Sequence, residues 1–374
     1  WCPENRSRGR LSMRAAGKVL LLVLAVFIVL GLGEWAVRAF DLGPDVGRLQ
    51  VGMIRLTPDP DLCYELVPGY VSPLRDVAIN AQGLRDRPVE IAKPAGVRRI
   101  ACIGDSIAFG MGAAQGPFDV QLEERLAAGR PSGAPAIDVL NFGVPGYNVG
   151  QIAAALEKRA AAFAPDLVVY LYCLNDPQET SRELETTLRR GAGSPARQDY
   201  VRRLWSASSS ALGGSRLWLL ARLAGAARTS RGESGAAEPI RDDMSIALAG
   251  GAPDYYRSLY RPGPARERFE AGLAAIGRWR ARTGVPVLVA MVPLFENLWT
   301  YPLEDLHAQV RAAAESNGLA ALDLLPAYQA ALLAGRADFH ADPLHPNRAG
   351  YGLAAEAVAA EIRNRGWLTE IGKP

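Results

Sequence analysis

The sequence predicts an α/β fold: a mainly parallel five-stranded sheet with helices on both faces, preceded by a transmembrane helix. Three observations carry this expectation. From residue 97 onward, short runs of Val, Ile and Leu recur that are apolar throughout rather than alternating. Amphipathic stretches with helical spacing separate them. Near the N-terminus, a long apolar run comes after a cluster of arginines. A strand with no polar face is buried on both sides, and that is the situation inside a parallel sheet between two helical layers.

At the N-terminal end, Arg6, Arg8, Arg10, Arg14 and Lys18 precede an unbroken apolar run at 19–32, which 15–17 and 35–40 extend. Together these approach the roughly 20 residues that a bilayer span needs. Basic residues on the near side place the N-terminus in the cytoplasm and the bulk of the chain outside it. A cleaved signal peptide and an uncleaved signal anchor both begin this way. Gly31-Leu32-Gly33-Glu34-Trp35 fits a small-x-small cleavage site poorly, which favours the anchor. The chain opens on Trp1, and Met13 is a plausible initiator. Residues 1–18 then form a basic cytoplasmic tail and 19–40 the anchor. Residues 41–96 are rich in Pro, Gly and Asp, with short extended patches, and read as a juxtamembrane arm docked on the α/β domain.

Residues 99–103 (RIACI) form the first strand, ended by Gly104. Residues 117–128 are amphipathic, with Phe118, Leu122 and Leu126 four apart. A strand at 137–141 and a helix at 151–163 come next, then a fully apolar strand at 166–172. A helix around Phe269, Leu273 and Ile276 leads into a strand at 285–292. A helix at 303–317, a strand at 319–324 and a helix at 349–364 close the pattern. Residues 177–264 break the rhythm. They are rich in Ser, Gly, Ala and Arg and read as an insertion at the top of the sheet. Their basic and apolar segment, 216–228, suits either a membrane surface or a helix packed on its own domain.

Composition narrows the function classes. Hydrophobic residues make up 49% and charged residues 22%, as in a folded chain. With 42 basic and 39 acidic residues the net charge is +3, too balanced for a nucleic-acid binder that must displace counterions. Four cysteines with no C-x-x-C pair exclude a disulfide scaffold and argue against structural zinc. Cys102 and Cys173 lie in apolar strands and read as buried thiols, while Cys63 in the arm leaves a disulfide with an unnamed partner open. Three histidines, His307, His340 and His345, leave little for a metal centre, although Asp338 and His340 stand close to the last of them. No P-loop motif is present.

The chemistry-bearing residues fall at strand ends, where open α/β sheets bind ligands. Gly104-Asp105-Ser106 comes directly after the first strand, and a glycine there allows a sharp turn that exposes the serine hydroxyl. Ordinary helix capping would produce the same triplet. Near the C-terminus, Asp342-Pro343-Leu344-His345-Pro346 puts a carboxylate three residues before a histidine. A serine hydroxyl needs a base to take its proton, and a carboxylate can hold the imidazole tautomer. The spacing lets Asp342 meet one ring nitrogen while the other faces Ser106. Asn141-Phe142-Gly143-Val144-Pro145-Gly146 lies after the second strand and Asn175-Asp176 after the third. A glycine amide and an asparagine side chain are suitable donors to a developing oxyanion. Each loop alone is an ordinary turn; four such clusters on one sheet are a site.

At these residues, over roughly 98–362 apart from the insertion, the chain resembles the SGNH, or GDSL, hydrolase family. The resemblance implies a flavodoxin-like three-layer α/β/α sandwich across 97–368. It implies Ser106 as nucleophile, His345 as base and Asp342 as its orienter. It also implies an oxyanion hole from the Ser106 backbone, Gly146 and Asn175, with no metal or organic cofactor. One departure stands out: the family's third block often reads G-x-N-D, and Cys173 takes the glycine's place, which puts the pocket's shape in question. Residues 78–85 (AINAQGLR) look like the lead-in of membrane-anchored members, without an assigned catalytic role.

The expected function is an exported, membrane-tethered serine esterase acting on an ester substrate of the cell envelope, either an O-acetylated glycan or a lipid ester. An acyltransferase would use the same acyl-enzyme with a sugar hydroxyl as acceptor. A non-catalytic binding protein of this fold is the third reading. The sequence carries no sign of oligomeric state.

Overall fold

The computed structural model describes residues 8–40, 50–57, 59, 61–74, 76–179, 215–218, 220–221 and 252–368. The chain divides into two compact units: residues 1–49 with 195–236, and residues 50–194 with 237–374. Most of the expected insertion at 177–264, and most of its basic and apolar segment, lies outside the described residues, as does Cys2.

The first unit is built on helix α1, Arg8–Ala39. Its stretch Gly17–Ala39 has 23 residues and a mean hydropathy of 2.5. At 1.5 Å per residue it reaches ~35 Å, enough to cross the ~30 Å hydrocarbon layer by length and composition. Within this unit, the Glu34 carboxylate accepts hydrogen bonds from Ser215 Oγ at 2.7 Å and from the amides of Arg216 and Leu217, both at 3.0 Å.

The second unit opens with a small antiparallel sheet, β1 (Gln50–Val51), β2 (Ile54–Leu56) and β3 (Tyr64–Leu66), in the order β1-β2-β3. Its register pairs Ile54 with Leu66 and Leu56 with Tyr64, and all four are buried. Between them Arg55 and Glu65 face the other way and bond each other at 2.8 Å. The arm expected from composition is therefore ordered, with one apolar face turned inward. Leu62 O accepts from Gln151 Nε2 at 2.8 Å, and Lys158 bridges Asp59 and Asp61 at 2.6 and 2.7 Å. Cys63 adopts a φ of +63°, and its thiol is pushed up to about 11 by burial and by Asp59 and Asp61.

The main sheet holds β4 (Val97–Gly104), β5 (Ala136–Asn141), β6 (Leu167–Tyr172), β7 (Val287–Met291) and β8 (Ala320–Asp323), in the order β5-β4-β6-β7-β8. Every pair is parallel. This is the 2-1-3-4-5 order of flavodoxin-like folds, in which ligands bind where the strand order reverses, beside β4. Every residue of β6 and β7 is buried, which explains their unbroken apolar sequences.

The helices build the outer layers. Helix α2 (Ser106–Phe109) is a single turn, and α3 (Phe118–Ala127) packs against the last helix, α9 (Arg348–Asn364). On α4 (Val149–Lys158) lies α6 (Pro264–Thr283). Helices α5 (Ala252–Leu259), α7 (Glu304–Ser316) and α8 (Leu325–Leu333) complete the set among the described residues. Two of these have no counterpart in the sequence reading. Helix α5 falls at the end of the expected insertion, and α8 (LPAYQAALL) is apolar nearly all round, so it offers no periodic stripe.

The first strand is less apolar than RIACI suggests. Arg99 is buried and bonds Asp138 Oδ2 at 2.9 Å. It also donates to the carbonyls of Ile91 and Phe163 at 2.9 Å and of Glu90 at 3.1 Å. This arginine joins the arm's last residues to the amino end of the sheet. Replacing it with methionine takes the donor from three carbonyls and leaves Asp138 paired, among the described residues, with Arg87 alone, and is expected to lower the unfolding free energy by about 3 kcal/mol. Urea unfolding of the Arg99→Met protein in detergent reads this directly.

Candidate active site

Strand β4 ends at Gly104, whose φ is +150°, and a Cβ there would sit 2.8 Å from both Leu171 O and Ala108 Cβ. Only glycine makes this turn without displacing β6. Asp105 then caps α2, with its carboxylate accepting from the Ile107 amide at 2.8 Å. Ser106 therefore stands at the first position of a helix, half-buried, at the carboxyl end of the sheet.

The loop between α8 and α9 closes on itself through Ala341 N–H to His345 O at 2.8 Å and Asn347 N–H to Phe339 O at 3.1 Å. Asp342 Oδ1 accepts from the amides of Leu344 and His345 at 2.8 and 2.9 Å. Its two oxygens lie 3.0 and 2.9 Å from His345 Nδ1. On the far side of the ring, Nε2 is 2.9 Å from Ser106 Oγ. With Nδ1 donating to Asp342, Nε2 carries the lone pair that faces the serine. Burial raises the Asp342 carboxyl, but the bonds from His345 and the backbone outweigh it and hold the group below its ordinary value. Asp342 thus stays an acceptor. The structure brings Ser106, His345 and Asp342 together in that order.

The other histidines stand elsewhere. His307 is buried between Asp323, 2.8 Å from Nδ1, and the Tyr301 hydroxyl, 3.2 Å from Nε2. His340 stacks on Phe295 with centroids 5.5 Å apart, and Asp338 accepts from Asn347 Nδ2 at 2.8 Å. No His/Cys/Asp/Glu group of three suited to a metal occurs among the described residues.

Gly146 lies in a β-turn over Val144–Tyr147, closed by Tyr147 N–H to Val144 O at 3.1 Å. Its φ of +77°, with Pro145 before it, is the type II pattern. Val144 N–H reaches Gly104 O at 3.1 Å, so this turn is fastened to the end of β4. The amides of Ser106 and Gly146 make no hydrogen bond to another described residue. Asn175 comes after β6 in a turn closed by Asp176 N–H to Cys173 O at 3.1 Å, and Val149 N–H to Asp176 O at 2.8 Å ties it to the Gly146 segment. The Asp176 carboxylate beneath it accepts from Tyr170 OH at 2.6 Å and Cys173 N–H at 3.2 Å, while burial and nearby Asp105 push its carboxyl up. Cys173 is buried with an ordinary negative φ, so this turn makes no demand for the family's glycine.

Two features escaped the sequence reading. A Cβ on Gly143 would lie 2.1 Å from Phe109 N and 2.5 Å from Ala108 C, so the loop after β5 touches α2 backbone to backbone. The second is Arg85, at the end of AINAQGLR. Its guanidinium donates to the carbonyls of Phe109 and Gly110 at 2.8 Å, Ala113 at 2.9 Å and Ala114 at 3.2 Å. Asn80 shapes the loop that delivers it, accepting from the Gln82 and Leu84 amides at 3.0 Å. The next residue, Asp86, accepts from Asn141 N–H at 3.1 Å, and Asn141 Nδ2 donates to Asp119 at 2.8 Å. Burial, reinforced by Asp86, pushes the Asp119 carboxyl up to about 7. The signal for Arg85 was its motif; nothing local said what it would bind.

A doubly wound parallel sheet thus brings a serine, a histidine and an aspartate into one hydrogen-bonded row at the carboxyl ends of its strands. Residues 102–245 match the GDSL-like lipase/acylhydrolase family model. The matched segment holds Ser106, Gly146 and Asn175 and ends before Asp342 and His345. No curated protein matches the chain. Among solved structures, a catalytic mutant of the acetylxylan esterase Axe2 from Geobacillus stearothermophilus is similar at 16% identity and a TM-score of 0.40, over 71% of this chain and 94% of that one. LAE5, an α/β hydrolase from the metagenome of Lake Arreo, Spain, is similar at 17% and 0.40, over 73% and 97%. A two-domain esterase active on acetylated mannans is similar at 14% and 0.40, over 74% and 51%.

The packing around α2 sets the expected outcome of two substitutions. Gly143→Ala forces the loop off α2, and an ångström-scale shift of Ser106 is expected to cost about a hundredfold in kcat/KM on p-nitrophenyl acetate. For Asp119, the folded pKa of about 7 lies above the unfolded value near ~4. The folded state keeps a proton that the unfolded state has released, so stability falls as pH rises from about 4 to about 7. Asp119→Asn is expected to remove that slope, up to about 1.4 kcal/mol per pH unit, in urea midpoints compared at about pH 5 and about pH 8.

Proposed function

We propose that the protein is a serine esterase that cleaves carboxylic esters through a covalent acyl-enzyme, with Ser106 as nucleophile, His345 as base and Asp342 as its orienter. The observation that carries this reading is the 2.9 Å approach of His345 Nε2 to Ser106 Oγ, with Asp342 on the opposite ring nitrogen. As Ser106 Oγ bonds to the ester carbon, its proton passes to Nε2. The imidazolium, stabilised by the Asp342 carboxylate, then returns that proton to the alcohol oxygen as the carbon–oxygen bond breaks. Water enters next. It gives a proton to Nε2, its oxygen bonds to the acyl carbon, and the carboxylic acid leaves as Ser106 regains its proton. The negative charge on the carbonyl oxygen in both steps is met by the amides of Ser106 and Gly146 and the side chain of Asn175; one such donor is worth ~10²–10³ in rate.

The apolar helix at 17–39, behind basic residues, supports a signal anchor with the N-terminus in the cytoplasm and the catalytic unit outside. The proposed domain plan is a tail at 1–18, the anchor at 19–40, an arm at 41–96 and the hydrolase domain at 97–368. A tethered enzyme of this orientation meets esters of the envelope, either O-acetyl groups on a glycan or lipid esters.

Ser106→Ala is expected to lose at least ~10³ in kcat/KM on p-nitrophenyl acetate and all labelling by a fluorophosphonate. Hydrolysis at the wild-type rate by that variant would overturn the reading. Acetate release measured against acetyl transfer to an oligosaccharide separates hydrolase from acyltransferase.

A further inference from the structure

An amide in a β-turn is a donor whose direction is unusually soft. Types I and II differ chiefly by a flip of the central peptide, and glycine at the third position tolerates either. In the Val144–Tyr147 turn that central peptide joins Pro145 to Gly146. Because a peptide is planar and trans, its N–H points away from its C=O. Whatever fixes the Pro145 carbonyl therefore fixes the Gly146 amide.

The Pro145 carbonyl oxygen accepts a hydrogen bond from the Tyr64 hydroxyl at 2.9 Å. Tyr64 belongs to β3 of the arm and lies 81 residues away in sequence. It is fully buried, at 0% exposure, so its hydroxyl has no water to turn to. Its own place is fixed twice over. The Tyr147 hydroxyl donates to Tyr64 O at 2.5 Å, and the two rings meet edge to face with centroids 5.1 Å apart. The Pro145 oxygen is thus held from the arm side, and the opposite end of the same peptide faces away from the arm.

We infer that Tyr64 is a positioning residue for the oxyanion hole: its hydroxyl locks the Pro145–Gly146 peptide in the orientation that turns the Gly146 N–H toward the ester carbonyl oxygen. This rests on the proposed role of Gly146. It assigns part of the catalytic machinery to a segment before the main sheet and outside the matched family segment. Without the hydroxyl, the turn remains closed by Tyr147 N–H and fastened by Val144 N–H, but its central peptide is free to flip.

The test is Tyr64→Phe in the full-length protein, assayed on p-nitrophenyl acetate. The variant keeps the ring and its packing and loses one hydroxyl. Gln151→Ala is the control, since it removes two neighbouring buried bonds, from Gln151 Nε2 to Leu62 O at 2.8 Å and from Asn148 N–H to Gln151 Oε1 at 3.1 Å, and leaves the Tyr64–Pro145 bond and the two bonds that close and fasten the turn. Tyr64→Phe is expected to lower kcat at least about tenfold with KM unchanged, and to slow fluorophosphonate labelling equally, because the phosphonyl oxygen occupies the same hole. Gln151→Ala should stay within about twofold of wild type in kcat while losing comparable thermal stability. Assays run below both melting midpoints keep folding out of the comparison. Wild-type kcat in Tyr64→Phe, or equal losses in both variants, would overturn the inference and leave the esterase reading standing. An active Ser106→Ala protein would instead remove the reading on which it rests.

Discussion

Ser106, the proposed nucleophile, is carried by a helix of one turn, and a helix that short cannot hold itself together. Its geometry is imposed from outside, by contacts from widely separated parts of the chain. The Asp105 carboxylate satisfies the Ile107 amide in its first turn, and Arg85 binds carbonyls at and beyond its last turn, where a cation is also favoured by the peptide dipoles. The Tyr351 hydroxyl from α9 donates to Ile107 O at 3.0 Å and Met111 O at 2.8 Å. Gly143 presses backbone against backbone on the side facing β5. Ser106 and His345 lie 239 residues apart in sequence, and their 2.9 Å contact exists because these grips leave the serine nowhere else to be.

The carboxylates near the site fall into two kinds, and burial separates them. Asp119 and Asp176 are buried in the protein interior, each holding a loop by accepting from a neighbour, Asn141 in one case and Tyr170 in the other. Burial raises both, which is the cost of using a carboxyl as an internal brace. Asp342 keeps 28% side-chain exposure and collects donors from two amides and an imidazole. Its net shift is downward. A carboxyl that must remain charged beside an imidazole needs that second environment, and only Asp342 has it among these three.

Strands β6 and β7 were legible because a strand buried on both faces has no choice but continuous apolar sequence. The Ser106, Gly146, Asn175 and Asp342–His345 loops were legible because each sits directly after a strand or before a helix that the pattern had already located. Helix α8 was not, since an apolar helix without a polar face loses its period. Strand β3 spans three residues, too few for alternation to stand out from chance, so Tyr64 looked like any tyrosine in an arm. Arg99 and Arg85 were opaque for a related reason. Both are buried charges whose partners are main-chain carbonyls, and a carbonyl leaves no mark on the sequence.

Tyr64, Arg85 and Arg99 all involve residues 50–96, and together they change what that segment is. Three short strands have too little core to be stable alone, so the arm takes its order from the sheet it lies on. In return it braces both ends of the sheet. At the amino end, its carbonyls at Glu90 and Ile91 satisfy the buried Arg99. At the carboxyl end, Arg85 holds the turns after α2 and Tyr64 meets the Pro145 carbonyl. The compact unit accordingly begins at residue 50, well before the first strand of the main sheet. A segment that composition reads as an arm docked on the α/β domain is thus a structural part of that domain, because the backbone around the serine has too few partners within the sheet to stay in place.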